Sequence, residues 1–294
     1  MNKNIIIAFL LILVSFVWAG SFIVVDIATQ QEMISPIHLG FLRFLVATPL
    51  LVMIVLLRKK PLLLPKKELP WLVVLGLTGV TLLYLFQFIG IDFTNAPTAS
   101  VLINTNVIFI AILSGVLLHE ALTKKRITGI VLSFVGVFVI MFSDFSNQEI
   151  SFTNLFFIGC LLMILSGFCW ALYTLVGKRL LNTYDGVVIT MYAFVFGTLC
   201  YLPFVAMDIG PTLLQTSLSG WLAVLYLALV CSIFGYLGWY YALKHSDASK
   251  AAVFLNFIPL FTILMSFFLG TSLTWFFLLG AGLIIYGVWL TQIN

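Results

Sequence analysis

The sequence predicts an all-α integral membrane protein with ten transmembrane helices arranged as two inverted five-helix repeats. Of its 294 residues, 63% are hydrophobic and only 8% are charged, whereas soluble domains have about 45–50% and about 25%. The apolar residues gather in continuous runs, each close to the roughly 20 residues that a helix needs to cross a bilayer. Continuous runs favour helices over the short alternating strands of a membrane barrel.

The predicted spans have approximate limits at residues 4–25, 37–57, 70–91, 96–118, 127–143, 153–176, 187–207, 220–243, 249–269 and 272–290. The first run also has features of a secretory signal, because Lys3 precedes it and small residues lie near its end. The internal repeat of the chain uses this run as its first helix, which favours a membrane span over a cleaved signal.

The loops predict which side of the membrane each helix end faces. If the N-terminus is cytoplasmic, the cytoplasmic loops hold 13 of the 14 Lys and Arg residues and the opposite loops hold none. Cytoplasmic loops of membrane proteins carry such an excess of positive charge. We therefore expect a multi-pass protein of the inner cell membrane with both termini in the cytoplasm. The remaining cation, Arg43, lies within the second run.

A shift of 152 positions aligns the two halves of the chain, which we place at residues 1–147 and 148–294. Residues that are uncommon in apolar helices match at this register: Trp18 with Trp170, Tyr84 with Tyr236, and Asn104 with Asn256. Such matches indicate a duplication. Five helices per half is an odd number, so the second half would enter the membrane from the opposite side, which gives an inverted repeat with a substrate site at its interface.

Short motifs in both halves carry a family resemblance. They are Phe16-Val-Trp18-Ala-Gly-Ser21, Leu42-Arg43-Phe44-Leu45, His119-Glu120-Ala-Leu122-Thr123, Trp170-Ala171-Leu-Tyr173 and the stretch from Ala248 to Leu260. Together they resemble the EamA-type transporters of the drug/metabolite transporter superfamily, over essentially the whole chain. The resemblance implies a bacterial or archaeal inner-membrane permease, commonly an exporter of amino acids or other small metabolites, with a central cavity between the halves.

The chain departs from the pattern of this family at two places. The acidic residue expected after each fourth helix is present as Glu120 in the first half, but it is replaced around Thr271 and Ser272 in the second. The helix proline expected in both halves is Pro259 in the second half and Val107 in the first. These departures question a strictly symmetric gating movement.

Polar and aromatic residues inside the spans are the candidate substrate-binding residues. They are Trp18, Arg43, Tyr84, Gln87, Asn104, Trp170, Tyr173, Tyr236, Trp239, Tyr240 and Asn256. Trp18 and Trp170 lie far from the interfaces where Trp usually collects, which favours cavity lining, with helix packing as the alternative. Asn104 and Asn256, like the nearby Asn106, either bond neighbouring helices or line the cavity, but they should not face lipid.

Arg43 would lie roughly 10 Å inside the membrane, at 1.5 Å per helical residue. It either binds a substrate carboxylate or ties neighbouring backbone carbonyls together. His38 is either a wet interfacial residue or a proton-linked group. Pro259 removes a backbone hydrogen bond and predicts a kink beside Asn256. Close helix packing is the expected role of Gly76, Gly79, Gly129, Gly136, Gly280, Gly282 and Gly287.

These observations predict a secondary transporter that moves a small metabolite, such as an amino acid, by alternating access through a central cavity. A non-transporting sensor or assembly subunit stays open as an alternative, and an intramembrane enzyme is less favoured, because the ten carboxylates fall at helix ends or in loops. We expect no cofactor and no metal, since the cysteines lack metal-site spacing. The expected partners are a small-molecule substrate and the lipid bilayer but not nucleic acid, and a homodimer stays open.

Overall fold

The computed structural model describes residues 3–60, 64–145, 154–270 and 275–293, and this part of the chain is helical throughout, without a strand. The long helices are α1 (Lys3–Gln30), α2 (Pro36–Leu57), α3 (Lys66–Phe93), α4 (Ala96–Leu117), α5 (Lys124–Phe145), α6 (Asn154–Leu181), α7 (Gly186–Phe204), α8 (Leu218–His245), α9 (Ala248–Phe268) and α10 (Trp275–Gln292). A short helix, Ile209–Gln215, joins α7 to α8.

Nine helices of the described ranges are long and apolar enough to cross a membrane. The remaining long helix, α5, is not among these nine, although it also has 22 residues. The prediction of an all-helical membrane protein is therefore confirmed for the residues described. The arrangement of ten spans in inverted repeats stays a prediction.

Several helices are longer than the predicted runs. Helix α1 continues to Gln30, and α3 continues to Phe93. Asp26 and Asp92, which the sequence placed in loops, consequently lie in the final turns of these two helices. A 28-residue helix such as α1 is about 42 Å long, so its ends project beyond a hydrocarbon core of about 30 Å. Polar residues are tolerated there.

Two helices contain a segment of wider, π-helical backbone that the sequence did not predict. These segments are Leu77–Thr81 in α3 and Tyr226–Phe234 in α8. A shift of 152 positions carries the first segment onto residues 229–233, which lie inside the second. Short π-helical segments are uncommon and frequently occur at functional sites. Their recurrence at equivalent positions makes this depth of both halves a candidate functional region.

Helices α4 and α9 are interrupted at equivalent asparagines. The α-helical backbone of α4 stops at Ile103 and restarts at Thr105, and α9 is a 3₁₀-helix over Val253–Asn256 before the α-helix resumes. A change of helix type thus lies next to Pro259, and the predicted kink stays a prediction. The interruption at Asn104 has no proline, and there the side-chain amide donates to the carbonyl oxygen of Ser100 and so competes with backbone bonding.

Glycines bring α5 and α10 into close contact. A Cβ atom added to Gly129 would lie 2.6 Å from the carbonyl oxygen of Gly287, and one added to Gly136 would lie 2.7 Å from that of Gly280. Such small residues let two helix backbones approach in a membrane. Gly282 is an exception to the prediction, since a Cβ atom added there would meet no other atom within 4 Å.

Polar contacts join many helix ends on one side of the molecule. The contacts are Lys60 with Asp185 at 2.9 Å, Arg126 with Asp247 at 2.8 Å, and Lys178 with the carbonyl oxygen of Ser246 at 2.7 Å. This side carries the loops that hold the Lys and Arg residues, and we call it the basic end. The opposite side, where α1 ends at Gln30 and α3 ends at Phe93, is the non-basic end.

Candidate functional site

A narrow cavity of about 40 Å³ lies between the two halves of the chain. Helices α1, α3 and α4 of the first half and α6 and α9 of the second half form its walls. The lining residues are Trp18, Ser21, Phe22, Leu83, Tyr84, Gln87, Ile103, Asn106, Trp170, Leu255 and Ile258. Apolar walls with a few polar groups are typical of sites for small molecules.

The cavity extends from the middle of the helices toward the non-basic end. Gln87 lies six residues before the end of α3, and Ser21 lies nine residues before the end of α1, which corresponds to depths of about 9 Å and about 14 Å. Trp170 lies 11 residues from the basic end of α6, at about 16 Å. The polar groups of the wall, Ser21, Gln87 and Asn106, therefore lie in the non-basic half of the molecule or near its middle.

An aromatic cluster closes the cavity on its deep side. We use this name for Trp18, Trp170, Tyr173, Tyr236, Trp239 and Tyr240. Ring centroids lie 5.0 Å apart for Trp18 and Trp170, 5.5 Å apart for Trp170 and Tyr236, and 5.1 Å apart for the stacked Tyr173 and Tyr240. Offset-stacked and edge-to-face contacts at these distances are favourable. All six rings are buried.

The cluster occupies the half of the molecule nearer the basic end. Trp239 lies six residues before the end of α8, and Tyr173 lies eight residues before the end of α6, so both are within about 12 Å of that end. Two other depressions, of about 400 and 420 Å³, open there. Neither shares a lining residue with the central cavity, and Tyr240 of the cluster lines the second of them.

Hydrogen bonds tie this cluster to the two π-helical segments. Trp18 donates from Nε1 to the carbonyl oxygen of Cys231 at 3.0 Å. The Tyr236 hydroxyl donates to the carbonyl oxygen of Gly79 and lies 3.1 Å from the hydroxyl of Tyr84. Since one hydroxyl has a single proton, Tyr84 is the donor in that second contact.

Other polar atoms of the cluster are buried without a hydrogen-bond partner in the described part of the chain. They are Nε1 of Trp170, Nε1 of Trp239, and the hydroxyls of Tyr173 and Tyr240. Buried polar groups are normally paired, so unpaired ones need an explanation. A concentration of them beside a cavity is consistent with a site whose partners change during function.

Arg43 is almost completely buried, at 1% exposure. Its guanidinium carbon lies 4.2 Å from the ring centroid of Tyr84 and 5.1 Å from that of Phe44. Nε donates to the hydroxyl of Ser232 at 2.9 Å, and Nη2 has no partner in the described part of the chain. No described carboxylate lies within 4.0 Å. The cation is therefore held by aromatic faces and one neutral hydroxyl, and Tyr84, which lines the cavity, lies against it.

The structure separates the other predicted site residues into two groups. Gln87 lines the cavity. Asn104 and Asn256 are fully buried but do not line it, and Asn256 donates to the hydroxyl of Ser133 at 2.8 Å. His38 is buried near the start of α2, with Nδ1 2.8 Å from the hydroxyl of Ser35. Asn256 thus bonds a neighbouring helix, whereas Asn104 bonds the backbone of its own helix.

Two polar residues of the wall were missing from the candidate set. Ser21 was noted only as part of a motif, and Asn106 was noted only as a buried amide. The alignment of the two halves did not single out Ser21 and Asn106, because their equivalents, Tyr173 and Ile258, have side chains of a different kind. Among the described residues, no group of three His, Cys, Asp or Glu side chains could hold a metal ion.

A second polar arrangement, which we call the latch, closes the basic end. The Glu120 carboxylate accepts hydrogen bonds from the backbone N–H of Ala248 at 2.6 Å, from that of Ser249 at 3.1 Å, and from the Ser249 hydroxyl at 2.6 Å. A carboxylate at a helix N-terminus satisfies free N–H groups and the helix dipole. Arg126 bonds Asp247 and Ser249 beside it. The latch therefore fastens the first half to the start of α9.

A further ion pair joins the halves at the basic end, between Lys60 and Asp185 at 2.9 Å. Partial burial opposes ionisation of Asp185, but the hydrogen bonds from Lys60 and from the N–H of Val187, together with the charge of Lys60, hold the pKa of this carboxyl below its ordinary value of 3.8. Both side chains are partly exposed, so the pair contributes little to stability.

Helices of this length and apolarity, packed around a cavity, define a multi-pass membrane protein. The chain belongs to the EamA-like transporter family, whose model matches residues 5–142 and again residues 157–293. The resemblance seen in the motifs is thereby confirmed. The family and the names of its relatives indicate a transporter rather than an enzyme.

Relatives along the whole length support this assignment. A protein of Archaeoglobus fulgidus named an uncharacterized transporter is 40% identical over 284 residues, which cover 96% of each chain. A protein of Salmonella typhimurium named "Probable amino-acid metabolite efflux pump" is 27% identical and covers 96% of this chain and 93% of its own. One crystal structure aligns with a TM-score of 0.74 over 98% of this chain and 95% of that chain, and at 18% identity it shows the fold alone.

Proposed function

We propose that the protein is a secondary transporter that moves a small metabolite, of the amino-acid class, across the inner membrane by alternating access. The observation that carries the proposal is the central cavity, which both halves line and which Trp18 and Trp170 of the aromatic cluster border. A solute site reached from one end and sealed from the other is what alternating access requires of each state.

The architecture that we propose has ten spans in two inverted repeats, residues 1–147 and 148–294, with α5 as the fifth span. Two consecutive matches to one family model support the duplication. The helix packing supports it further, because α1 packs on α9 just as α6 packs on α4, and α3 packs on α6 just as α8 packs on α1. Each pair is the repeat equivalent of the other.

The basic end is cytoplasmic in this proposal, and so are both termini. The excess of Lys and Arg in the loops of that end supports this orientation. In this orientation the latch lies on the cytoplasmic side, and the polar wall of the cavity lies toward the exterior side.

The candidate substrate residues divide by chemistry. Trp18, Tyr84 and Trp170 provide aromatic walls, and Gln87 provides an amide for a polar group of the solute. Arg43 lies behind Tyr84 without a carboxylate partner among the described side chains, so a solute carboxylate would complete its environment. The relative that is named an amino-acid metabolite efflux pump supports the same class.

The test is reconstitution of the purified chain into liposomes with a panel of labelled amino acids, sugars and nucleotides. We expect saturable flux of at least one amino acid, competed by an excess of the unlabelled compound. Liposomes without protein and liposomes with Gln87→Trp protein are the controls. Flux of sugars or nucleotides only would reject the substrate class, and no flux of any compound would reject transport.

A further inference from the structure

Two backbone carbonyls occupy equivalent positions in the two halves. Gly79 and Cys231 are 152 residues apart and lie in the π-helical segments of α3 and α8. Each carbonyl oxygen accepts a hydrogen bond from an aromatic side chain of the other half: Gly79 from the Tyr236 hydroxyl, and Cys231 from Nε1 of Trp18. The acceptors are equivalent, but the donors are of two different kinds.

The equivalents of these two donors, Trp170 and Tyr84, lie in the same group of side chains. Trp170 is the equivalent of Trp18, and its Nε1 is buried without a partner in the described part of the chain. Tyr84 is the equivalent of Tyr236, and its hydroxyl lies 3.1 Å from that of Tyr236. Each carbonyl therefore has one donor in use, and the equivalent of the other carbonyl's donor lies in the same group of side chains: Trp170 without a partner and Tyr84 bonded to Tyr236.

We propose that the two carbonyls exchange donors when the protein changes between its two transport states. In the other state Trp170 replaces Tyr236 at Gly79, and Tyr84 replaces Trp18 at Cys231. This inference rests on the proposed alternating access. It follows when each residue of a contact is replaced by its equivalent, 152 positions away in the other half. Because both carbonyls keep a donor in both states, the exchange leaves neither buried acceptor unpaired, which keeps the two states close in free energy.

The side chains that would exchange lie close together. The ring of Tyr173, three residues after Trp170 on α6, lies so close to Gly79 that a Cβ atom there would collide with it. The rings of Trp18 and Trp170 are 5.0 Å apart, and those of Trp170 and Tyr236 are 5.5 Å apart. The rings of Trp18, Trp170 and Tyr236 thus pack together, and Tyr84 joins them through its contact with the Tyr236 hydroxyl. The wide π-helical turns at Gly79 and Cys231 are where a side chain can reach into the backbone ladder.

The test measures the ratio of the two states without any substrate. Spin labels at positions 31 and 207, two exposed sites at the non-basic end with one in each half, report the distance between the halves by pulsed electron resonance. The four native cysteines are replaced by alanine in all samples, which retains the carbonyl of residue 231. Trp18→Phe and Tyr236→Phe each remove a donor that is in use, so each should lower the population of the present state roughly three- to tenfold.

The opposite result is expected for Trp170 and Tyr84. Added to Trp18→Phe protein, in which the second state is populated, Trp170→Phe or Tyr84→Phe should return the ratio toward the parent value by a similar factor. The exposed aromatic residues at positions 241 and 289 give matched controls, Tyr241→Phe and Trp289→Phe, which should leave the ratio unchanged. If Trp18→Phe does not fold, Tyr236→Phe serves as the background.

If all four variants shift the ratio of the two states in the same direction, the exchange is wrong. Loss of packing alone would not distinguish the donors of one state from those of the other. A ratio that does not respond to Trp170→Phe or Tyr84→Phe, or a single distance in every variant, would also overturn it. The two pairs of variants could shift the ratio in opposite directions in a protein that transports no solute in liposomes. That result would reject the proposed transport but support the donor exchange.

Discussion

The two halves of the molecule differ most where their equivalent helices face the centre. The first half places Ser21 and Gln87 in the wall of the cavity. The second half has Tyr173 and Trp239 at the equivalent positions, and both are fully buried in the aromatic cluster. Larger side chains of the second half therefore fill the positions that border the cavity in the first half.

The two halves also differ in the polar contacts that they make at the ends of the molecule. Glu120 of the first half caps the start of α9 and fastens the basic end. The equivalent position in the second half is Ser272, which lies outside the described residues and has no carboxylate. The side that is filled with aromatic rings is also the side with an ionic latch. Both differences should favour a resting state that is open toward the non-basic end.

The strongest test of the difference in volume is to make the first half resemble the second. Gln87→Trp copies Trp239 into the equivalent position and fills the cavity. We expect flux of the amino acid found in the liposome assay to fall at least a hundredfold, about 2.7 kcal/mol, with an unchanged helical content by circular dichroism. Leu13→Trp, on the lipid-facing surface of α1, is the matched control. Normal flux through Gln87→Trp would place the pathway elsewhere.

Removal of the latch should be the next largest effect. Glu120→Ala deletes three hydrogen bonds to the start of α9, and bonds to a charged group contribute about 2 kcal/mol. Hydrogen exchange of the amides of residues 248–252 should then become roughly 30-fold faster. Asp208→Ala removes an exposed carboxylate from a loop and serves as the control. Unchanged protection in Glu120→Ala would show that the basic end is held by other contacts.

Arg43 distinguishes the halves by charge, because α7 contains no Lys or Arg. Arg43→Gln should weaken binding of a transported amino acid about tenfold, about 1.4 kcal/mol, and should leave binding of its neutral amide derivative unchanged. Arg43→Lys should restore only part of the loss, since an ammonium does not reproduce the flat contact of the guanidinium with Tyr84. Equal losses for the acid and the amide would assign Arg43 to helix packing alone.

The smallest effect concerns the ion pair that joins the halves at the basic end. The pKa of Asp185 is lower in the folded protein than its ordinary value of 3.8. The stability that it contributes is therefore fully present above that ordinary value and is lost as the pH falls through the lower, folded pKa. Asp185→Asn, which can still cap α7, should remove this increment of less than about 1 kcal/mol.

Thermal unfolding in detergent at several pH values measures this increment, and Asp208→Asn is the control. The parent protein and Asp185→Asn should differ at neutral pH and converge in acid. A constant difference at every pH would mean that the ion pair is not its source.

Much of the fold could be predicted from the sequence, because long apolar runs have few stable alternatives in lipid. The predicted run 96–118, for example, differs from α4, Ala96–Leu117, by one residue at one end. The π-helical segment Leu77–Thr81 was not predictable, since the register of backbone hydrogen bonds in a helix depends on packing against neighbouring helices. Helix ends were also underestimated where polar residues continue the helix beyond the apolar run.

The residue types of the candidate site could be predicted from the sequence, but their arrangement could not. Trp18 and Trp170 were expected near a cavity because Trp is unusual in the middle of a span, and both line one. Asn104 and Asn256 could either bond neighbouring helices or line the cavity, and here Asn104 bonds the backbone of its own helix and Asn256 bonds Ser133. The rotation of each helix about its axis decides between these outcomes, and residue type does not fix it. The contact of Glu120 with Ser249 depends on which loops meet, so it too required the structure.

The most direct test of the account uses the accessibility of the cavity from each side of the membrane. A single cysteine at position 87, in protein whose native cysteines have been replaced, is treated with a membrane-impermeant thiol reagent in right-side-out and in inverted vesicles. We predict rapid labelling from the exterior and slow labelling from the cytoplasmic side, with cytoplasmic labelling increased by Glu120→Ala. Equal labelling from both sides, or faster labelling from the cytoplasmic side in the latched protein, would contradict a cavity that is closed at the basic end.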